Sequence, residues 1–296
     1  MAGKSHTSIE RWHSRGKFHR LGGHSIFVID EGAAENPTLL LIHGFPTSSW
    51  DWHAIWDDLV KHYRLIALDM LGFGFSDKPN NRDYSIHGQA NIVEALVETK
   101  RLTTFHVLAH DYGDTVAQEL LARQVEGTGI GEWLSCCLLN GGLFPETHRA
   151  LLTQKLLLGP FGGLVNRLSN YAAFSRNFSA VFGADTQPTA MELQNFWSLI
   201  NFNQGRHVFH NLITYMHDRI EYRERWVAAL QTSTVPLGLI NGSVDPVSGA
   251  HMVARYKELA CRLDYLAQLP TIGHYPQIEA PQELLLHYQE YLKQVT

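Results

Sequence analysis

Cysteine is scarce in this chain of 296 residues. There are three, Cys136, Cys137 and Cys261. Two of them are adjacent inside an apolar run, so they form no disulfide framework and read as buried thiols. Long apolar runs are also missing. A membrane span needs roughly 18 apolar residues; the stretch 156–165 is short and broken by Gly159-Pro160 and Gly162-Gly163. The opening residues, Met1 to Thr7, are polar and carry no apolar signal region. Positive charge is not in excess: 24 Lys and Arg against 29 Asp and Glu give a net charge of −5, which speaks against nucleic acid as a partner. Gly72-x-Gly74 lacks the third glycine of a dinucleotide loop, because position 77 is Asp. His207 and His210 have no acidic or Cys partner at metal spacing and read as a surface pair. These absences leave a cytoplasmic globular protein with no membrane span, no metal and no cofactor as the expectation. An apolar content of 45% is ample for a core.

What is present is a repeated alternation. Short apolar runs at 38–42, 64–68, 105–109, 134–139, 235–240 and 263–269 read as strands buried on both faces. Helical patterns at 49–63 and 84–100 fall between them, and Gly22-Gly23 signals a hairpin near the start. This predicts an α/β fold with a mostly parallel sheet and helices on both faces. The alternation stops between 145 and 228. That stretch has no strand-like run, is rich in aromatic, Asn and His residues, and shows helical patterns at 150–158, 189–203 and 207–230. It reads as a helical cap inserted into a core formed by 1–144 and 229–296. An insertion after a strand end lies at the ligand crevice of such a sheet.

The most informative stretch is Phe105-His-Val-Leu-Ala-His110-Asp111-Tyr112-Gly113-Asp114. A strand, a sharp turn flanked by small residues and a helix with Val116, Ala117, Leu120 and Leu121 on one face make a nucleophile elbow. Its centre carries Asp111 where esterases carry Ser. A carboxylate attacking a carbonyl would leave a labile anhydride. It attacks a polarised saturated carbon well, as in an epoxide or an alkyl halide. Asp is ionised at neutral pH without help, so a base is needed only to activate the water that cleaves the resulting ester. Asp245, after the strand at 235–240, and His274, after the last strand, complete the order nucleophile, acid, histidine of the α/β-hydrolase fold. Asp245 would orient His274, and His274 would take a proton from water. The ordinary alternative for Asp111, an Asp capping the following helix, leaves its two partners unexplained. Trp50 begins a helix and either lines the pocket or packs.

Over nearly its whole length the chain resembles the α/β-hydrolase superfamily. His43-Gly-Phe-Pro46, Asp69-x-x-Gly-x-Gly-x-Ser-x-x-Pro79, His110-Asp-Tyr-Gly113 and Gly273-His-Tyr-Pro276 are similar to the epoxide hydrolase and haloalkane dehalogenase branch. The run through Tyr84-Ser-Ile86, Asn140-Gly-Gly142 and Phe144-Pro-Glu-Thr-His148 is closer still to a vertebrate hydrolase-like group. The resemblance implies an oxyanion hole made by the backbone N–H groups of Phe45 and Tyr112, with His43 supporting the substrate site. It also implies a cap tyrosine that hydrogen-bonds an epoxide oxygen. Tyr215, 21 positions before Pro236, matches that tyrosine; Tyr222 competes for the role, and Tyr171 is the candidate for a second. Dehalogenases usually hold the halide with a Trp after the nucleophile and often an Asn in the loop occupied here by Phe45. This chain has Tyr112 and Phe45 there, and Phe has no donor. The expectation is an epoxide hydrolase-like enzyme acting on a small apolar-to-amphipathic molecule and water. A haloalkane dehalogenase and a binding protein with little turnover on the same fold are the alternatives.

Overall fold

The computed structural model describes residues 7–80, 84–149, 152–159, 162, 163, 166 and 169–295. Eight strands form one sheet: β1 (Gly16–Leu21), β2 (His24–Glu31), β3 (Thr38–Ile42), β4 (Arg64–Leu68), β5 (Thr104–His110), β6 (Glu132–Leu139), β7 (Leu237–Gly242) and β8 (Tyr265–Leu269). Their order is β1-β2-β4-β3-β5-β6-β7-β8. The hairpin β1–β2 and the β2–β4 pair are antiparallel; every other pair is parallel. The apolar runs alternate faces with period two. Leu40, Ile42, Ile66, Leu68, Val107 and Ala109 join one buried cluster, and Leu39, Leu41, Leu65, Ala67 and Leu108 join the other. A sheet buried on both faces needs continuous apolar strands, which is why the runs did not alternate in polarity.

The flanking helices use local signals. Ile86–Thr99 starts at Ser85, whose side chain accepts from Gly88 N–H, and it buries Ile92, Val93, Leu96 and Val97. Pro281–Val295 buries Leu284, Leu285, Tyr288 and Leu292 on the opposite face of the sheet. Residues 49–63, expected as one helix, form a 3-10 turn at Ser49–Trp52 and a helix at His53–Leu59.

Between β6 and β7 the described residues with regular structure are helical. The segments are Leu152–Leu158, Tyr171–Ser179, Ala190–Asn201, Phe209–Leu212, Tyr215–Glu221 and Arg223–Thr232. Residues 150 and 151, which open the expected helix at 150–158, lie outside the described residues. The helix Tyr171–Ser179 was not foreseen. The expected continuous pattern 207–230 is broken into pieces, preceded by a 3-10 stretch in which Asn203 and Gln204 have positive φ. The expected segment limit at 228 falls inside Arg223–Thr232, whose Trp226 donates to Glu119 on the helix Tyr112–Val125 of the core.

One carboxylate ties the inserted helices to the end of the sheet. Glu279 accepts from the N–H groups of Gly183 and Gly273 at 2.8 Å, from Tyr275 N–H at 2.9 Å and from the Thr186 hydroxyl at 2.6 Å. Next to it, His274 N–H donates to Val181 O at 2.9 Å.

Candidate active site

Asp111 stands between β5 and the helix Tyr112–Val125 with φ 50° and ψ −106°. This region is costly for a residue with a Cβ and is kept only where the surroundings enforce it. Here the enforcement is close packing. A Cβ on Gly113 would lie 2.2 Å from the Ile42 carbonyl, and a Cβ on Gly44 would lie 2.9 Å from the Asp111 Cβ. Only glycines let the elbow and the β3 loop approach this closely.

The two carboxylate oxygens of Asp111 differ. Oδ2 accepts from the Phe45 N–H at 2.9 Å. Oδ1 lies 3.8 Å from His274 Nε2. On the far side of the imidazole, His274 Nδ1 donates to Asp245 Oδ2 at 2.7 Å. Asp245 is held by further donors: Asn140 Nδ2 at 3.0 Å, the Ser248 hydroxyl at 2.8 Å and the N–H groups of Val247 and Ser248. Asp111, His274 and Asp245 are therefore brought together at the carboxyl ends of β5, β8 and β7.

Burial opposes ionisation of Asp111. The nearby imidazole of His274, with the charge of Arg219, outweighs it and holds the carboxyl well below its ordinary range. Burial likewise opposes the His274 cation, but the carboxylates of Asp245 and Asp111 prevail and raise it well above the usual imidazole value.

A cavity of about 360 Å³ opens over Asp111 and His274. Its wall takes Phe45, Pro46, Val247 and Tyr275 from the sheet's end. Leu157, Phe174, Phe178, Val181, Trp197 and Phe209 come from the inserted segment. Among the described lining residues, Asp111 and His274 are the charged groups, and Asn166, Ser169 and Asn177 supply most of the other polar atoms.

The remaining sequence candidates are placed less directly. Tyr215 is buried; its ring is 4.8 Å from that of Tyr112 and 6.2 Å from that of Phe45, so it stands behind the Phe45 wall. Its hydroxyl makes no well-aligned hydrogen bond. Tyr222 sits at the break between two helices, which turns its ring onto His87 and Trp226 and away from the cavity. Tyr171 packs on Trp197 outside the lining set. Trp50 is a packing residue: it stacks on His53 at 3.9 Å and its indole donates to Thr7 O. His43 does not line the cavity. Its Nδ1 donates to Gly44 O and its Nε2 accepts from Met70 N–H, so it braces the loop that carries Phe45.

Several residues at the site had no role assigned from the sequence, although Asn140, His148 and Tyr275 lie in its motifs. Asn140 and Ser248 hold Asp245, and Tyr275 lines the cavity beside His274. Arg219 and His148 meet behind the elbow, where Arg219 Nε donates to Thr115 Oγ1 at 2.8 Å.

Comparison with known proteins gives the family and the fold. The profile of the alpha/beta hydrolase fold matches residues 37–127. The mesoderm-specific transcript homolog protein of Homo sapiens is 43% identical over 96% of this chain and 88% of its own length. Among solved structures, the haloalkane dehalogenase DbeA from Bradyrhizobium elkani superposes with a TM-score of 0.77 at 21% identity, covering 95% of this chain and 98% of that one. The epoxide hydrolase CorEH superposes with a TM-score of 0.76 at 17% identity, covering 95% and 99%. At those identities the two structures speak for the fold alone. The chain belongs to the α/β-hydrolase family, alongside the mesoderm-specific transcript proteins.

Proposed function

We propose that this chain is a hydrolase that forms an alkyl-enzyme ester on Asp111, with epoxides preferred over alkyl halides and the inserted helices acting as a cap. The observation that carries the reading is the division of labour between the Asp111 oxygens. Oδ2 rests on the Phe45 N–H, where the carbonyl oxygen of an ester would sit. Oδ1 is left on the side of His274. Oδ1 attacks the substrate carbon and the carbon–oxygen or carbon–halogen bond breaks. A water molecule then loses a proton to His274 Nε2 and adds to the ester carbonyl. The developing oxyanion is met by Phe45 N–H and, as the family's elbow geometry implies, Tyr112 N–H.

The epoxide preference rests on Tyr215. An alkoxide is a poor leaving group and needs a proton donor. Phe45 and Tyr112 lack the indole and amide donors of the usual halide pair. In the resting structure Tyr215 is one ring behind the cavity wall, so its hydroxyl reaches an epoxide only when Phe45 gives way. The haloalkane dehalogenase reading keeps one observation in its favour: Trp197 and Asn177, both N–H carriers, line the cavity.

A single turnover in heavy-oxygen water tests the nucleophile. The expected first product carries an enzyme oxygen, and the label enters the Asp111 carboxylate. Solvent label in the first product would mean direct attack by water and would end the reading. For the substrate class, Tyr215→Phe is expected to lower epoxide turnover at least about tenfold, one transition-state hydrogen bond, while Tyr222→Phe changes it little. A wild type that releases bromide from bromoalkanes faster than it opens any epoxide would assign the dehalogenase activity instead.

A further inference from the structure

The loop that carries His274 is held by its backbone, and most of its ties run away from the nucleophile. The N–H groups of Gly273 and Tyr275 donate to Glu279. His274 N–H donates to Val181 O in the inserted segment at 2.9 Å. These bonds fix the shape of the loop and its place beside the inserted helices. They do not fix its distance from β5, where Asp111 stands. Among the described residues, one hydrogen bond to the backbone of 273–275 comes from β5: His110 Nε2 lies 2.8 Å from His274 O. A carbonyl oxygen only accepts, so Nε2 carries the proton and donates. His110 is the last residue of β5 and the chain neighbour of Asp111. The residue beside the nucleophile therefore grips the backbone of the histidine that faces it.

The His110 ring has little freedom to let go. It is fully buried. Its centroid is 4.8 Å from that of Tyr275 and 5.1 Å from that of His274. A Cβ on Gly44 would lie 2.8 Å from Nδ1, so the β3 loop packs on that edge. Nδ1 also faces Asp51 Oδ2 at 3.8 Å. Asp51 is buried and tied to the same loop, accepting from the Thr47 hydroxyl at 2.6 Å and from Gly44 N–H at 3.4 Å. That loop carries Phe45, whose N–H meets Asp111 Oδ2. A ring packed this closely is held in one rotamer, and its Nε2 becomes a fixed point for His274 O. An ordinary core histidine also finds a carbonyl to pair with; here the carbonyl belongs to His274.

We propose that His110 is a positioning residue for the second half-reaction: by holding the His274 carbonyl, it sets where His274 Nε2 stands relative to the ester formed on Asp111. The inference rests on the reading of Asp111 as nucleophile and His274 as base. His110 touches no substrate and moves no proton. Alkylation depends on the aim of Asp111 Oδ1, which the elbow and the Phe45 N–H set. Hydrolysis depends in addition on Nε2 reaching a water placed over the ester carbonyl, and a misplacement of about 1 Å costs on the order of a hundredfold. Loss of the His110 donor is therefore felt in hydrolysis first.

The test compares His110→Gln with His110→Asn. The Gln amide nitrogen reaches the place of Nε2 and the Asn amide nitrogen that of Nδ1. Both variants bury an amide, but only Gln can donate to His274 O. Rapid-quench kinetics with an epoxide that the wild type turns over separate the two steps. In His110→Asn, hydrolysis is expected to fall about tenfold or more and alkylation less than about threefold, so that the adduct accumulates. His110→Gln is expected to restore hydrolysis to within about threefold of wild type. His110→Leu is a second variant without the donor should the Asn variant fold poorly. Crystal structures of the variants are expected to show His274 Nε2 displaced from Asp111 when the donor is absent and in place with Gln. An equal loss in both steps, a Gln variant no better than Asn, or an imidazole unmoved without the donor would overturn the proposal. The crystal structures read no turnover, so their outcome is separate from a failure of the nucleophile reading, which the heavy-oxygen experiment decides.

Discussion

At the scale of single residues, the site divides into groups that the sequence announces and groups that only the folded chain can bring together. Asp111 and His274 are legible because each sits in a compact motif just past a strand end. Asp245 is legible through chain order. Arg219 and His148 are not legible, since they are 71 positions apart and meet only through the inserted segment. Of the two readings open for Trp50, lining the pocket or packing, the stacking on His53 supports the second. The division of roles predicts that His274→Ala permits alkylation but blocks hydrolysis, so intact-mass analysis is expected to show a substrate adduct on Asp111. Turnover retained without an adduct would contradict it. Asp114 supplies a pH prediction. Its folded pKa is raised above the unfolded value, first by burial and then by Asp111. Such a group contributes stability that is fully present below the unfolded pKa and is lost as pH rises through the folded pKa. The wild type is therefore expected to lose stability relative to Asp114→Asn as pH rises above about 4. Urea midpoints of the two proteins across pH 4 to 8 measure the difference, and a constant gap would show that Asp114 is not protonated.

Elements were read best where burial is symmetric. β3 and β4 were located to the residue, because a strand covered on both faces leaves an uninterrupted apolar run. The ends of β6 and β7 shifted by two residues, since the flanking Glu132 and Gly242 extend the ladder without an apolar signal. The helix Tyr171–Ser179 escaped because its aromatic face lines a cavity and packs on other inserted helices, with Phe178 its buried residue. The break at Tyr222, between Tyr215–Glu221 and Arg223–Thr232, divides what reads as a long helical stretch and turns Tyr222 away from the cavity. The strained elbow gives the element-scale prediction. Gly113→Ala would set a methyl 2.2 Å from the backbone oxygen of Ile42. It is expected to cost about 1–3 kcal/mol in urea unfolding, as overpacking does, and to lower alkylation by displacing Asp111. Unchanged stability would mean that β3 and the elbow separate more easily than their packing implies.

At the scale of the whole molecule, the inserted segment is joined to the rest by several polar ties, among them Trp226 to Glu119, Arg219 to Thr115 and the cluster on Glu279. On that side, residues 181–186 share one carboxylate with the loop bearing His274. On the other side, Phe174, Trp197 and Phe209 meet the cavity through ring packing and form part of its wall. Inserted aromatics can part without breaking a polar network; the Glu279 clasp cannot open without stranding buried N–H groups. Amide exchange is expected to be slow at Gly183, Gly273 and Tyr275 and faster across 171–177, and Glu279→Gln is expected to accelerate the first set selectively. Equal exchange on both sides would show an evenly tethered segment. The clasp acts as an anchor. Whatever the aromatic wall at 171–177 does, the loop bearing His274 stays fixed by its own N–H groups, and the imidazole stays aimed at Asp111.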